Sequence, residues 1–339
     1  MASMDIFRTD AFGMVELSAA AKDIDYVPQT LGALGIFEEK GVFLRKVAVE
    51  KKAESLSLIE TSPDGAAPRN TMPTQANIRD FRTQRLADSF TLFASEVAGM
   101  RAWGTETELQ VVMDEYAERM GTLRGNMDLT HEFHRLGALQ GLLLDSDGTS
   151  VIYDYFAEFG IAPAPTINFR LNVETTDIRG LCHQVTRSMS RSAKGAFTTR
   201  TKVHALVGDN FFDDFVNHPK VVRTYDGWAA AADLRNSLAF EAFPFGGILW
   251  HNYRGTDDNS TVAIGADEAR FFPVGATDVF KKFVSPADEF APFVNTKGQD
   301  VYAMNIADKD RQSWVKGELY SYPLYMCMKP QCLRKSVGR

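Results

Sequence analysis

From Val42 to Glu60 apolar and charged residues interleave: Val42, Leu44, Val47, Val49, Leu56 and Leu58 sit among Arg45, Lys46, Glu50, Lys51, Lys52 and Glu54. A period near two predicts a strand that is polar on at least one face. The stretch TSPDGAAPRNTMP follows, in which Pro63, Gly65, Pro68 and Pro73 exclude regular structure. A return segment carrying Ile78 and Phe81 then closes a long hairpin. A strand of this span reaches roughly 50 to 60 Å, against a radius of gyration of about 20 Å for a compact chain of this size. The hairpin is therefore expected to project and, because an isolated two-stranded ribbon is marginal in water, to lie on a neighbouring subunit. Ahead of it the chain is punctuated by Gly13, Pro28, Gly32, Gly35 and Gly41 and shows no sustained period beyond a short helix around Met14 to Lys22. Residues 1–40 read as an extended arm.

Thr105 and Glu108 form a capping-box pattern, after which Leu109, Val112, Met113, Tyr116, Met120 and Leu123 recur at helical spacing. Gly121 and Gly125 weaken the middle of this helix, Asp128 is placed to recap it, and Leu129, Phe133, Leu136 and Leu139 carry the stripe on towards Leu143. Asp147-Gly148 between two apolar runs predicts a tight hairpin. A second amphipathic helix is expected over 176–192, with Ile178, Leu181, Val185 and Met189 on one side. VHALVGDNFFDDFVNHP reads as a buried strand and a short helix that Pro219 ends, and 239–273 as aromatic-rich strands broken by the GTDDNS loop. The basic end, from Lys329 through Arg334 and Lys335 to Arg339, is expected to be a solvated tail. The fold class is α+β, and at 339 residues two modules, or one with long extensions, are expected.

Composition narrows the chemistry. The formal charge of -7 argues against a protein whose main work is neutralising phosphates, so any contact with nucleic acid is expected to be local. No apolar run reaches the ~20 residues of a membrane span, and the opening MASMDIFRTDAFG lacks the pattern of a secretory signal. Folding in a cytoplasm and no membrane partner are the expectations. Cys182, Cys327 and Cys332 have neither disulfide-framework nor zinc-knuckle spacing. Walker, Gly-x-Gly-x-x-Gly and Gly-x-Ser-x-Gly motifs are absent. His131 and His134 flank Glu132 without zincin spacing, and the expectation there is a partly exposed helix face. Cys182 and His183 are adjacent on a helix and so point apart. Asp145 and Asp147 lack the remaining ligands of a calcium loop. The acid pairs Glu38-Glu39, Asp213-Asp214 and Asp257-Asp258 read as solvated faces, and the aromatics Phe240, Phe243, Phe245, Trp250 and Tyr253 as strand core. No catalytic residue, cofactor or metal is expected.

Four blocks resemble the lambda-type, or phage capsid protein E, family of major capsid proteins. They are GALQGLLLDSDGTSVIYDYFAEFGI, VHALVGDNFFDDFVNHPKV, AIGADEARFFPVGATDVFKKFVSPAD, and VNTKGQDVYAMN with ELYSYPLYMCMKPQCL. They occur in the family's order over nearly the whole chain. The resemblance implies the Hong-Kong-type tailed-phage capsid fold, divided as N-terminal arm 1–40, extended loop 41–100, peripheral domain 101–200 with a spine helix from Thr105, axial domain 201–310, and return strands with a C-terminal tail 311–339. It further implies that the chain assembles with itself into the hexamers and pentamers of an icosahedral head around double-stranded DNA, with a scaffolding protein, a portal and a possible decoration protein as partners. Intersubunit contact candidates are Lys46, Glu50, Lys51, Lys52, Glu54, Glu60, Asp64 and Arg69. The alternative reading of these charges is that they solubilise an exposed edge. Some family members lock their shells through a loop lysine, but no lysine lies between Thr61 and Thr74, so a non-covalent lock is expected. Two other functions compete: an enzyme with the hairpin as a lid, and a different ring- or tube-forming phage component.

Overall fold

A computed structural model describes residues 30–51, 77–99, 108–225, 242–253 and 262–339. The predicted arm between 1 and 29, the short helix at Met14 to Lys22, the hairpin tip, the Thr105 cap, Phe240 and the GTDDNS loop lie outside the described residues.

Residues 30–41 are part of the body. Thr30–Ala33 forms a helical turn, α1, and Glu38–Gly41 a strand, β1. Strand β1 lies parallel to β12 (Phe280–Val284), which pairs antiparallel with β15 (Pro323–Cys327). Of the extended arm expected over 1–40, residues 30–41 are thus a helical turn and a strand paired in the body. The partner strand is some 240 positions away in the sequence, so the local pattern of 38–41 gives no sign of it.

The hairpin is present at its base. Strands β2 (Lys46–Lys51) and β3 (Asn77–Arg82) pair antiparallel, Val47 opposite Phe81. Val47, Val49 and Phe81 are buried, and Phe81 packs on Tyr153, Tyr155 and Phe159. The ribbon does not continue to residue 100. Strand β4 (Leu86–Phe93) leaves it to pair with β14 (Trp314–Ser321), which also pairs with β13 (Tyr302–Ala307). A short helix, α2 (Ala94–Gly99), follows β4.

The long helix α3 runs unbroken over Glu108–Gln140, about 50 Å at 1.5 Å per residue. Asp128 does not recap it; its carboxylate takes the Arg124 guanidinium one turn back at 3.0 Å. Tyr116, Met120, Leu123 and Met127 pack on the β13-β14-β4 sheet, while Leu136 and Leu139 enter a central core. The helix stops at Gly141, whose φ of +83° suits the position after a helix end. Strands β5 (Leu142–Leu144) and β6 (Val151–Asp154) then form the predicted hairpin, with Gly148 at φ +69°. Helix α4 (Tyr155–Glu158) follows, capped by Asp154.

A second module is built on a six-stranded sheet. Its order is β7 (Ile167–Asn168), β16 (Arg334–Val337), β11 (Glu268–Val274), β8 (Lys202–Val207), β10 (Ile248–Asn252) and β9 (Phe243–Phe245). One face is covered by α5 (Ile178–Ser192), whose buried Ile178, Cys182, Val185 and Met189 form a single stripe, and by α6 (Asp209–Val216). Between them the aromatics pack densely, with the Phe215 and Trp250 rings 4.1 Å apart. Gly246 makes the β9–β10 turn at φ +62°, where a Cβ would lie 2.6 Å from Cys182. Pro219 does not end a helix but opens α7 (Pro219–Tyr225), the first-turn position where its missing N–H costs nothing.

Three module boundaries follow pairing rather than sequence order. Helix α5 packs with the six-stranded sheet, β12 and β13 pack with the α3 module, and the final strand β16 returns to the six-stranded sheet beside β11. The basic end is accordingly no solvated tail. Arg334 is 8 % exposed and donates to Ser188 Oγ and O, Ser192 Oγ, Gln331 O and Leu333 O, while Arg339 pairs with Asp214 at 2.8 Å.

Candidate assembly surfaces

Strand alternation gives the hairpin base two unlike faces. Val47, Val49 and Phe81 face the body; Lys46, Ala48, Ile78, Asp80 and Arg82 are exposed. Lys46 reaches Asp80 of its own hairpin at 2.6 Å, with both side chains near half exposed. Such a pair contributes at most about 1 kcal/mol to the subunit. Ile78 is 63 % exposed on that face. Glu50 and Lys51 hold register positions opposite Ile78 and Asn77. Lys52, Glu54, Glu60, Asp64 and Arg69 lie outside the described residues. Thus one of the eight contact candidates, Lys46, has a described side chain. On the body side Arg79 meets Glu158 at 2.9 Å, and Arg82 N–H donates to the Tyr153 hydroxyl.

The most concentrated polar chemistry lies where α3 meets the other elements. Glu132 is fully buried and its carboxylate accepts from Leu31 N–H at 2.7 Å, Gly32 N–H at 3.2 Å, Arg135 Nη1 at 3.2 Å and the Tyr253 hydroxyl at 3.3 Å. Lys282 on β12 bridges Glu39 at 2.9 Å and Asp300 at 2.6 Å. Burial alone would lower the pKa of Lys282; Tyr325, Asp300 and Glu39 outweigh it, so the ammonium is held above its usual value. Burial likewise works to raise the pKa of Asp300, and His131, Lys282 and Arg124 override it down to about 2. Sequence reasoning met Glu132 only as the residue between two histidines and gave it no role of its own. The signal was present, because it falls on the stripe of Leu129, Leu136 and Leu139, where a charged residue needs partners.

The histidines beside it are not a partly exposed helix face. His131 and His134 are 1 % and 2 % exposed, and both rings stand edge-on to Tyr325. His131 Nδ1 shares a 2.8 Å hydrogen bond with the Tyr325 hydroxyl. Among the described residues no group of three or more His, Cys, Asp or Glu side chains is arranged to hold a metal. Burial pushes the Cys182 thiol up to about 12 and the Cys332 thiol to about 11, so they pack as neutral side chains. Asp147 accepts from Thr149 N–H, Ser150 N–H and Ser150 Oγ, which makes it the staple of the β5–β6 turn. A 760 Å³ groove beside β7 has one carboxylate in its lining, Asp177, which caps α5 through Gly180 N–H at 3.0 Å.

The chain is similar in sequence to the major capsid protein of Pseudomonas phage KPP10, 29 % identical over 81 % of this chain and 82 % of the relative. It is also similar to that of Salmonella phage Felix O1, 24 % identical over 92 % and 93 %. Among solved structures, a phage-related protein from Bordetella bronchiseptica RB50 matches with a TM-score of 0.54 at 11 % identity, covering 94 % of both chains. The capsid of Cyanophage P-SCSP1u matches with a TM-score of 0.52 at 9 % identity, covering 93 % and 90 %. These likenesses show the Hong-Kong-type capsid fold. The family model for phage major capsid protein E matches residues 13–337, so the chain belongs to that family and is a tailed-phage major capsid protein, a structural component of the virion.

Proposed function

We propose that identical copies of this chain close into the hexamers and pentamers of an icosahedral head around double-stranded DNA, through overlapping arms and hairpins and without catalysis. The observation that carries this reading is the two-faced hairpin base. Its apolar face is spent on the subunit's own core, and its exposed face, with Ile78 and the weak Lys46–Asp80 pair, is left for another surface. Many such modest contacts, repeated over a closed lattice, hold a particle that no single interface could. Lys46, Glu50, Lys51, Lys52, Glu54, Glu60, Asp64 and Arg69 are the proposed contacts to neighbouring copies. A scaffolding protein during assembly, a portal and a decoration protein are the further partners proposed, with assembly in the host cytoplasm.

The division of the capsid fold is proposed along the observed pairing. Residues 1–29 form the arm and 30–41 its anchor. Residues 46–82 form the extended loop. Helix α3 with β4 and β12 to β15 forms the peripheral domain, and the six-stranded sheet with α5, α6 and α7 the axial domain.

Electron microscopy of the purified chain, with and without a scaffold, tests the reading. Closed shells are expected, whereas tubes or rings alone favour the other phage component, and discrete monomers defeat it. Replacing residues 61–74 by a short glycine linker is expected to leave a folded subunit that forms fewer stable shells. Equally robust particles count against the loop's role.

A further inference from the structure

Two successive backbone N–H groups, those of Leu31 and Gly32, converge on the buried Glu132 carboxylate at 2.7 and 3.2 Å. They belong to α1, the first described turn, immediately after residues 1–29. The carboxylate is itself held by Arg135 from one turn further along α3 and by the Tyr253 hydroxyl from the end of β10. One side chain thus joins the base of the N-terminal segment, the long helix and the six-stranded sheet.

Stability alone is a poor reason for this arrangement. Burying a carboxylate costs several kcal/mol before its partners repay it, and an apolar residue of similar volume on the same stripe holds a helix down as well or better. An apolar residue has no direction, however. Two carboxylate oxygens facing two successive N–H groups fix the position and tilt of the turn. Leu31, 1 % exposed, secures the same turn by packing, with Leu34, Ile36 and Phe37 packed against the same core, but none of these supplies a directed bond to its N–H groups.

Resting on the shell-building reading, we propose that Glu132 is a positioning residue for assembly. It latches Thr30–Ala33 to the long helix at one angle, so that in every copy this turn meets a neighbouring copy in the same orientation.

The test uses the full chain and compares Glu132→Ala, Glu132→Gln and, as a control on the exposed face of the same helix, Glu118→Gln. Hydrogen exchange of Leu31 and Gly32, cooperative thermal unfolding of the subunit, and the diameter distribution of shells by electron microscopy are the readouts. In Glu132→Ala the two amides are expected to exchange about tenfold or more faster while unfolding stays cooperative. Shells become heterogeneous or fail to close. Glu132→Gln, which keeps one acceptor, falls between, and Glu118→Gln matches the parent. A merely structural glutamate would lower the unfolding temperature and leave shell geometry alone. Loosened amides with uniform shells overturn the proposal, as do unchanged amides. If Glu132→Ala does not fold, Glu132→Gln decides on the same criteria. If the parent chain forms no particles, the shell-building reading fails, and exchange that is unchanged at Leu31 and Gly32 then removes the latch too.

Discussion

His131, His134, His204 and His251 are all held below the ordinary imidazole pKa, first by burial in each case. His134 lies at about 4, with Asp145 favouring its proton against burial; His131 faces Asp300 but also Lys282 and Arg135. The unfolded chain takes up these protons as pH drops through about 6.5, while folded His134 stays neutral until about 4. Stability contributed by the neutral ring is therefore complete above 6.5 and lost between 6.5 and 4, up to about 3 kcal/mol for His134 at 1.36 kcal/mol per unit. The unfolding temperature of the unassembled subunit should fall across that window, and His134→Gln should flatten the fall. An unfolding temperature that is constant from pH 6.5 to 4 would contradict the burial argument. Asp300, depressed to about 2, adds stability above the unfolded carboxylate value that is lost only at lower pH, so the two effects separate. Arg334 offers a second measurement. All its hydrogen bonds go to neutral acceptors on α5 and its own loop, so Arg334→Met should lower the denaturant midpoint by the equivalent of about 3 kcal/mol. A surface arginine would change it by under about 0.5 kcal/mol. Neither the histidines nor Arg334 announced their burial, because a polar side chain is buried by partners, and Tyr325 and Ser188 are brought up by tertiary structure alone.

Helix α3 carries glycines whose replacement should act in opposite directions. Gly125 has nothing within 4 Å of where a Cβ would stand, so Gly125→Ala should stabilise by about 1 kcal/mol through helix propensity. At Gly137 the same Cβ would lie 2.6 Å from the Leu142 carbonyl oxygen, which belongs to the backbone of β5. The propensity gain there is outweighed by displacing the β5–β6 hairpin, and Gly137→Ala should destabilise by about 1 to 3 kcal/mol. Thermal unfolding of the two variants side by side checks the sign, and two shifts in the same direction would refute it. The helix itself was legible, as were α5, the Asp147-Gly148 turn and the ribbon, because each is written in local periodicity or turn chemistry. Its continuity was not. Gly121, Gly125 and Asp128 look like an interruption in sequence, yet packing of Tyr116, Met120, Leu123 and Met127 on β4 and β14 carries the helix through. The placement of β1 beside β12 and of β16 beside β11 was equally hidden, since short strands of Glu, Lys and Arg acquire their role only from a partner far along the chain.

At the scale of the molecule, the pleat of the hairpin separates side chains buried in the subunit from exposed ones, which are the proposed assembly contacts. Phe81 is 1 % exposed and Ile78, three residues earlier on the same strand, is 63 % exposed. Family membership was readable from four sequence blocks, whereas this division of labour needed the register, which sets Val47 opposite Phe81 and leaves Ile78 on the other face. A change at Ile78 should therefore act almost only on the particle. Ile78→Asp removes an exposed apolar side chain, and its effect on the subunit's unfolding free energy should stay within about 0.5 kcal/mol. In a shell the same aspartate is repeated at every interface that covers the ribbon, where burying an unpaired carboxylate costs several kcal/mol per contact. Shell yield by sedimentation should fall steeply while the monomer's unfolding temperature holds. Val47→Asp provides the reciprocal case, because the carboxylate then enters the subunit core and the monomer itself should lose cooperativity. Equal shell yields for the parent and Ile78→Asp would mean that this face of the ribbon stays in solvent.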